Sequence, residues 1–151
     1  MIRRVVNFRA TQLRFGAERC TFEGCGSSAV WCEGAGAVAE VSEGSADRCG
    51  GYGTFYASRG GVLRLARVRQ QRNLHGYGMM TLHEGSRIEA KGCAFNENLW
   101  AGVASRWSGS AHVEACDVCD NGGPGFQVRL RSLGISYQIC HPSEHSTEKS
   151  V

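Results

Sequence analysis

The chain has 151 residues, of which 21 are glycine and 2 are proline, with 21% charged residues and a net charge of +3. This length suits one domain with a core of its own, and the balance excludes both a disordered chain and a collagen, while the modest charge does not mark a nucleic-acid binder. The apolar runs are only a few residues long and "MIRRVVNFRATQ" lacks the apolar stretch and cleavage site of a secretory signal, so no membrane span is expected and a cytoplasmic or nuclear setting follows.

In chain order, Val6 and Phe8 fill the first inward-facing slots, and one template then recurs. Phe15-Gly16-Ala17-Glu18 alternates apolar with polar or small residues. The same slots are refilled by Ala39-Glu40-Val41-Ser42, Leu63-Arg64-Leu65-Ala66, Ile88-Glu89-Ala90-Lys91 and Ala111-His112-Val113-Glu114. Next comes a cysteine or valine slot at Cys20, Val68, Cys93, Cys116 and Cys140, and then a turn slot at Cys25, Cys49, Asn73, Asn98 and Asn121. Each unit closes on a small residue (Ala29, Gly53, Gly78, Gly102, Gly125) and an apolar one (Val30, Thr54, Met79, Val103, Phe126), with one extra residue placed in the third unit. Ile135, Tyr137 and Cys140 continue the inward slots before a polar tail, 141–151.

Alternation with period two, repeated every 23–25 residues between glycine-rich turns, describes short strands with one face buried. No helical periodicity links them, so each strand must pair in parallel with its equivalent one unit away, the rest of the unit serving as the crossover. The expected architecture for residues 1–140 is an all-β parallel β-helix, a solenoid of about five coils.

The stretch "GCAFNENLWAGVASRWSGSAHVEAC" resembles the right-handed parallel β-helix repeats of the pectin-lyase-like superfamily, across about residues 13–140. The resemblance implies a right-handed coil. It is nearest to intracellular recognition modules, the β-helix segments of F-box substrate receptors and of Shc-SH2-binding proteins. Repeats of this kind also serve polysaccharide enzymes, so the fold alone does not choose a function.

The chemistry-bearing residues are sorted by which way their column faces. Cys116 shares the inward column of Val68 and Cys93, whereas Cys119 shares that of Glu23, Asp47, Gln71 and Asn96, which faces water. The C-x-x-C thiols therefore point apart, which does not suit a tetrahedral metal site. A zinc alternative would recruit Cys116, Cys119, Cys140 and His145 across two faces. Stacked thiols such as Cys93 and Cys116 come within disulfide range but are expected to stay reduced. Asn73, Asn98 and Asn121 fit a stacked amide ladder, weakened in the first coils where cysteines replace asparagine. Gly53, Gly78, Gly102 and Gly125 are expected to supply backbone shapes that a Cβ would forbid.

The outward column Glu40, Arg64, Glu89, His112 and its neighbour ending in Lys91 and Glu114 form a charged strand face, with pairs such as Arg64–Glu89 and Lys91–Glu114. A polysaccharide lyase would need an acidic calcium cluster or equivalent beside a basic residue, and a hydrolase of the polygalacturonase type its N-T-D, D-D and G-H-G motifs. Neither pattern occurs, and no metal or cofactor is expected. Arg64, Arg67, Arg69 and Arg72, with the N-terminal arginines, form a basic band without the interleaved aromatics of single-strand binders, which argues against a nucleic-acid partner. Trp100 and Trp107, beside the Gly-Val turns, are the expected contact anchors. The reading is a non-catalytic scaffold that presents a strand face and turns to a partner protein. The alternative is a carbohydrate-active lyase or hydrolase. Because the pattern starts and stops mid-coil, the expectation is a piece of a longer protein, with end-to-end self-association through unpaired edges as the competing account.

Overall fold

A computed structural model describes residues 6–9, 14–129, 134–138 and 141–142. Every element among them is a β-strand. The first sheet is built from β1 (Val6–Arg9), β4 (Val30–Glu33), β7 (Gly53–Ser58), β10 (Tyr77–Leu82), β13 (Val103–Arg106) and β16 (Phe126–Arg129). The second contains β2 (Arg14–Glu18), β5 (Val38–Ser42), β8 (Val62–Ala66), β11 (Arg87–Lys91), β14 (Ser110–Glu114) and β17 (Gly134–Gln138). The third contains β3 (Thr21–Glu23), β6 (Ser45–Asp47), β9 (Arg69–Gln71), β12 (Ala94–Asn96), β15 (Asp117–Val118) and β18 (His141–Pro142). All the pairings are parallel, each strand joining its equivalent one coil away, as in a β-solenoid of about five coils.

The second sheet has the register the sequence predicts. Phe15, Ala39, Leu63, Ile88 and Ala111 stand over one another, as do Ala17, Val41, Leu65, Ala90 and Val113. From Ala39 to Ala111 and from Val41 to Val113 these columns are buried, while Phe15 and Ala17 are half-buried at the first coil. Phe55, Phe95 and Met79 complete the core from the other two sheets. Burying such side chains contributes roughly 2 kcal/mol each, and every coil shares its contribution with two neighbours.

Between sheets the chain turns through the left-handed region without breaking the ladder. Arg19, Glu43, Arg67 and Ala115 have φ of 53°, 53°, 53° and 50°, and Gly92 stands in the same column at 61°. The Arg19, Glu43, Arg67 and Gly92 N–H groups each donate to a carbonyl of the next coil, at 2.9 Å in every case. Arg48, Arg72, Glu97 and Asp120 repeat the device at the next corner, with φ between 50° and 55°. A non-glycine residue held there costs about 1 kcal/mol, which the maintained backbone bonds offset. Only the sequence's glycines hinted at such corners, and most of the corner residues are arginine or acidic.

The first sheet departs from the expected alignment in one place. Val30 pairs with Phe55, not Thr54, and Phe55 lies over Met79. The extra residue thus lies in the second coil as well as the third, and Thr54, not Gly53, stands between Ala29 and Gly78. The segment "CGGYGTF" offers two glycine registers, and burial of the Phe55 ring selects one of them. Thr54 then turns its hydroxyl onto a buried amide cluster, accepting from Gln70 Nε2 at 3.2 Å and from Asn73 Nδ2 at 3.1 Å.

That cluster is the polar centre of an otherwise apolar interior. Gln70 occupies an inward slot over Ala46 and beneath Phe95, fully buried, and exchanges two hydrogen bonds with Asn98 at 2.6 and 3.0 Å. Asn98 Oδ1 also accepts from the Asn73 amide N–H at 2.8 Å, and Asn121 Oδ1 from the Asn98 N–H at 3.0 Å. The predicted ladder therefore forms. Asn73, whose neighbour is a cysteine, turns its carbonyl to its own loop, accepting from His75 and Gly76 N–H at 2.8 and 2.7 Å.

The cluster also explains Gly78 and Gly102, through lack of room and not through backbone angle, since neither has a positive φ; a Cβ on Gly125 would meet only ordinary contacts. A Cβ on Gly78 would stand 2.5 Å from Gln70 Oε1 and 2.8 Å from Asn98 Nδ2, and one on Gly102 would collide with Val118 and lie 2.8 Å from Asn121 Nδ2. Gly16, by contrast, has nothing within 4 Å of such a Cβ. Gly102→Ala is accordingly expected to lower unfolding stability in urea by about 2 kcal/mol, with Gly16→Ala neutral or slightly stabilising. Equal effects at the two sites would contradict this packing.

Candidate functional site

The solenoid sorts its outward residues onto faces of different chemistry. On the second sheet, Glu40, Arg64, Glu89, Lys91, His112 and Glu114 come together and line one shallow concavity of about 390 Å3. Arg64 lies between two glutamates, donating from Nη1 to Glu40 at 2.8 Å and from Nε to Glu89 at 3.2 Å. Arg87 Nη2 reaches Glu89 at 2.7 Å, and Lys91 Nζ reaches Glu114 at 2.8 Å. The Lys91 bond, with further attraction from Lys91 and His112, holds the Glu114 carboxyl below the ordinary glutamate range, and the two glutamate bonds raise Arg64. These groups are exposed, so each pair contributes little to stability. A charged ligand docking here would compete with these internal partners.

Two further arginines of the basic band are tied to acids in a similar way. Arg67 reaches Glu43 at 2.7 Å, and Arg72 grips Asp47 through two bonds of 2.7 and 2.6 Å. Stacking places a third-coil arginine beside a second-coil acid in each case, a neutralisation that the linear sequence does not display.

The corner between the third and first sheets is different. Five large apolar side chains are exposed among the described residues, and four of them are here: Tyr52 (66%), Leu74 (52%), Leu99 (53%) and Trp100 (41%). The backbone stacks them in three consecutive coils, Leu99 N–H donating to Asn73 O and Trp100 N–H to Gly76 O, each at 3.0 Å. Trp100 meets the Tyr77 ring edge-on at 5.2 Å. Trp107, the fifth, is in the turn after β13 and packs on His83 at 5.4 Å. The two predicted tryptophan anchors thus occupy opposite ends of one strand and belong to separate surfaces.

Sequence reasoning missed the apolar layer beneath this corner. The outward slots of the first sheet hold Trp31, Tyr56, Met80 and Ala104 where alternation calls for polar residues, and with Tyr77, Ala101 and Leu82 they form a second apolar cluster outside the core. Trp31 Nε1 donates to Ser58 Oγ at 3.0 Å and its ring meets Tyr56 at 5.4 Å. The signal was available in "TFYAS" and "YGMMTL", strands that lack alternation. Beside Trp100 a notch of about 420 Å3 opens, lined by Tyr52, Tyr77, Arg106, Pro124 and Gln127.

The C-x-x-C segment divides as its columns predict. Cys116 is buried and Cys119 partly exposed, with Cys119 Sγ donating to Asn96 Oδ1 at 3.2 Å. Cys140 and His145 lie outside the described residues, among which no group of three or more His, Cys, Asp or Glu side chains could hold a metal. The hydrogen bond with Cys93, and then burial, push the Cys116 thiol up, while burial beside Cys25 pushes Cys49 up to about 12.

Comparison with protein-family models, curated proteins and solved structures returned no match.

Treatment of the native protein with iodoacetamide near pH 8 is expected to label Cys20 and Cys119 well before Cys49 and Cys116, because the first two are partly exposed and the other two buried. Peptide mapping that finds Cys116 and Cys119 labelled at the same rate would contradict the opposed orientation.

Proposed function

We propose that this chain is a rigid β-helix scaffold that binds a partner protein, with the Trp100 corner as its main contact and the charged face of the second sheet as a flanking surface. One observation carries the reading: four of the five exposed large apolar side chains share a single corner. Contiguous exposed apolar surface is costly unless it is used, and aromatic anchors surrounded by apolar neighbours are the usual energetic centre of a protein interface.

The arrangement suits that role physically. Leu74, Leu99 and Trp100 are fixed by inter-coil backbone bonds, and Trp100 is further ordered by Tyr77, so little side-chain freedom is lost on binding. Exposed Glu40, Arg64 and Lys91 stand on the neighbouring sheet, where their ion pairs can set orientation and association rate more than affinity. The resemblance of the repeat to pectin-lyase-like β-helices of the F-box and Shc-SH2-binding kind points the same way. A reducing cytoplasmic or nuclear location agrees with the free thiols of the seven described cysteines.

The test compares proteins captured from an extract by the unaltered chain, by Trp100→Ala and by Trp107→Ala, with far-UV circular dichroism as the folding control. The expected result is a defined set of partners lost from Trp100→Ala by roughly thirtyfold, the size of an interface hot spot, and retained by Trp107→Ala. Identical capture by all three would remove the corner as the binding surface.

A further inference from the structure

The notch next to Trp100 contains a cation that the rest of the molecule does not neutralise. Seven arginines earlier in the chain, from Arg19 to Arg87, each hold a carboxylate within 4.0 Å, while Arg14 and Arg69, which hold none among the described residues, are exposed to solvent. Arg106, among the described residues, holds none. Its guanidinium lies over the Tyr77 ring at 5.2 Å, and Nη2 donates to Tyr77 Oη and, at 3.4 Å, to Gln127 Oε1. Tyr77 Oη donates in turn to Gln127 Oε1 at 2.8 Å. Arg106 Nε is buried without a partner.

Every other group lining the notch is uncharged. The ring of Tyr77 joins its two ends, with the Trp100 ring and the Arg106 guanidinium each 5.2 Å from it. A guanidinium that is half-buried, ordered by a ring and two hydrogen-bond acceptors, and lacking an anion is complementary to a carboxylate. Trp100, Tyr52 and Pro124 offer an apolar seat beside it. An extended peptide places side chains on one face about 6.6 Å apart, two residues along, within the roughly 10 Å that two 5.2 Å contacts with the same ring allow between the two ends.

We propose that the notch recognises an extended, acidic segment of a partner protein, an apolar side chain seating against Trp100 and a glutamate or aspartate two residues away pairing with Arg106. This rests on the corner being a protein-binding surface and adds the chemistry of what it binds. Arg106 is the specificity-determining residue, and Trp100 supplies affinity without regard to the acid.

The experiment selects binders to the full chain from displayed short random peptides, then synthesises the recovered sequences with glutamate and with glutamine at the acidic position. Selection is expected to enrich an acid within two residues of a large apolar side chain. The glutamate peptide should bind about tenfold tighter than its glutamine twin, the size of a hydrogen bond to a charged group. That comparison uses the unaltered protein, so misfolding of a variant cannot mimic it. Arg106→Gln should erase the difference, whereas Trp100→Ala should weaken both peptides. Apolar peptides captured through Trp100 without preference for acid would overturn the carboxylate inference while leaving the corner as a protein-binding surface. Capture unaffected by Trp100→Ala, or no capture at all, would overturn both.

Discussion

The structure depends on one constraint, that each coil lies in register on the one before it. Apart from tight turns such as Gly61 N–H to Ser58 O, the backbone N–H and C=O groups of the strands find their partners in neighbouring coils. The bonds run through the three sheets and continue at the corners, where residues such as Arg67 and Arg72 accept a left-handed φ to keep donating to the coil above. Because that ladder fixes height and phase together, a side chain that faces inward in one coil faces inward in the next. The core, the asparagine ladder and the glycines that make room for it are consequences of this phase.

The same phase turns scattered residues into surfaces. Glu40, Arg64 and Glu89 are far apart along the chain yet form one continuous ion-paired row. Tyr52, Leu74, Leu99 and Trp100 gather on a single corner because their turns are stacked, and the outward apolar slots of Trp31, Tyr56 and Met80 give that corner a firm base. Glu40, Arg64, Glu89, Lys91 and Glu114 on the second sheet are paired internally, whereas Arg106 holds no carboxylate. The contrast singles out the corner as the place where an outside molecule gains most by binding.

Much of this was legible in the sequence. The second-sheet columns, the opposed thiols of Cys116 and Cys119 and the pairs Arg64–Glu89 and Lys91–Glu114 follow from period and alternation alone. The extra residue expected in the third coil is there, and the one missed in the second had a physical cause, since glycines on both sides of Tyr52 leave the local register open until Phe55 is packed. Gln70 was overlooked because an inward amide is tolerated only when Thr54 and Asn98 lie beside it, a fact of three coils and not of one. Trp100 and Trp107 looked like a pair because they are close in sequence, but β13 runs between them and carries them to separate corners. Arg106 gave no signal, as its lack of an acidic neighbour emerges only once the coils are stacked.

The most direct test of the stacking itself is zero-length cross-linking with a water-soluble carbodiimide, followed by peptide mass spectrometry. Lys91 and Lys149 are the only lysines in the chain, and Lys91 Nζ lies 2.8 Å from Glu114 Oε1 one coil away, with both side chains accessible. The account predicts an isopeptide bond joining Lys91 to Glu114. Coupling of Lys91 only to carboxylates nearby in sequence, such as Glu84 or Glu97, with none to Glu114, would contradict it.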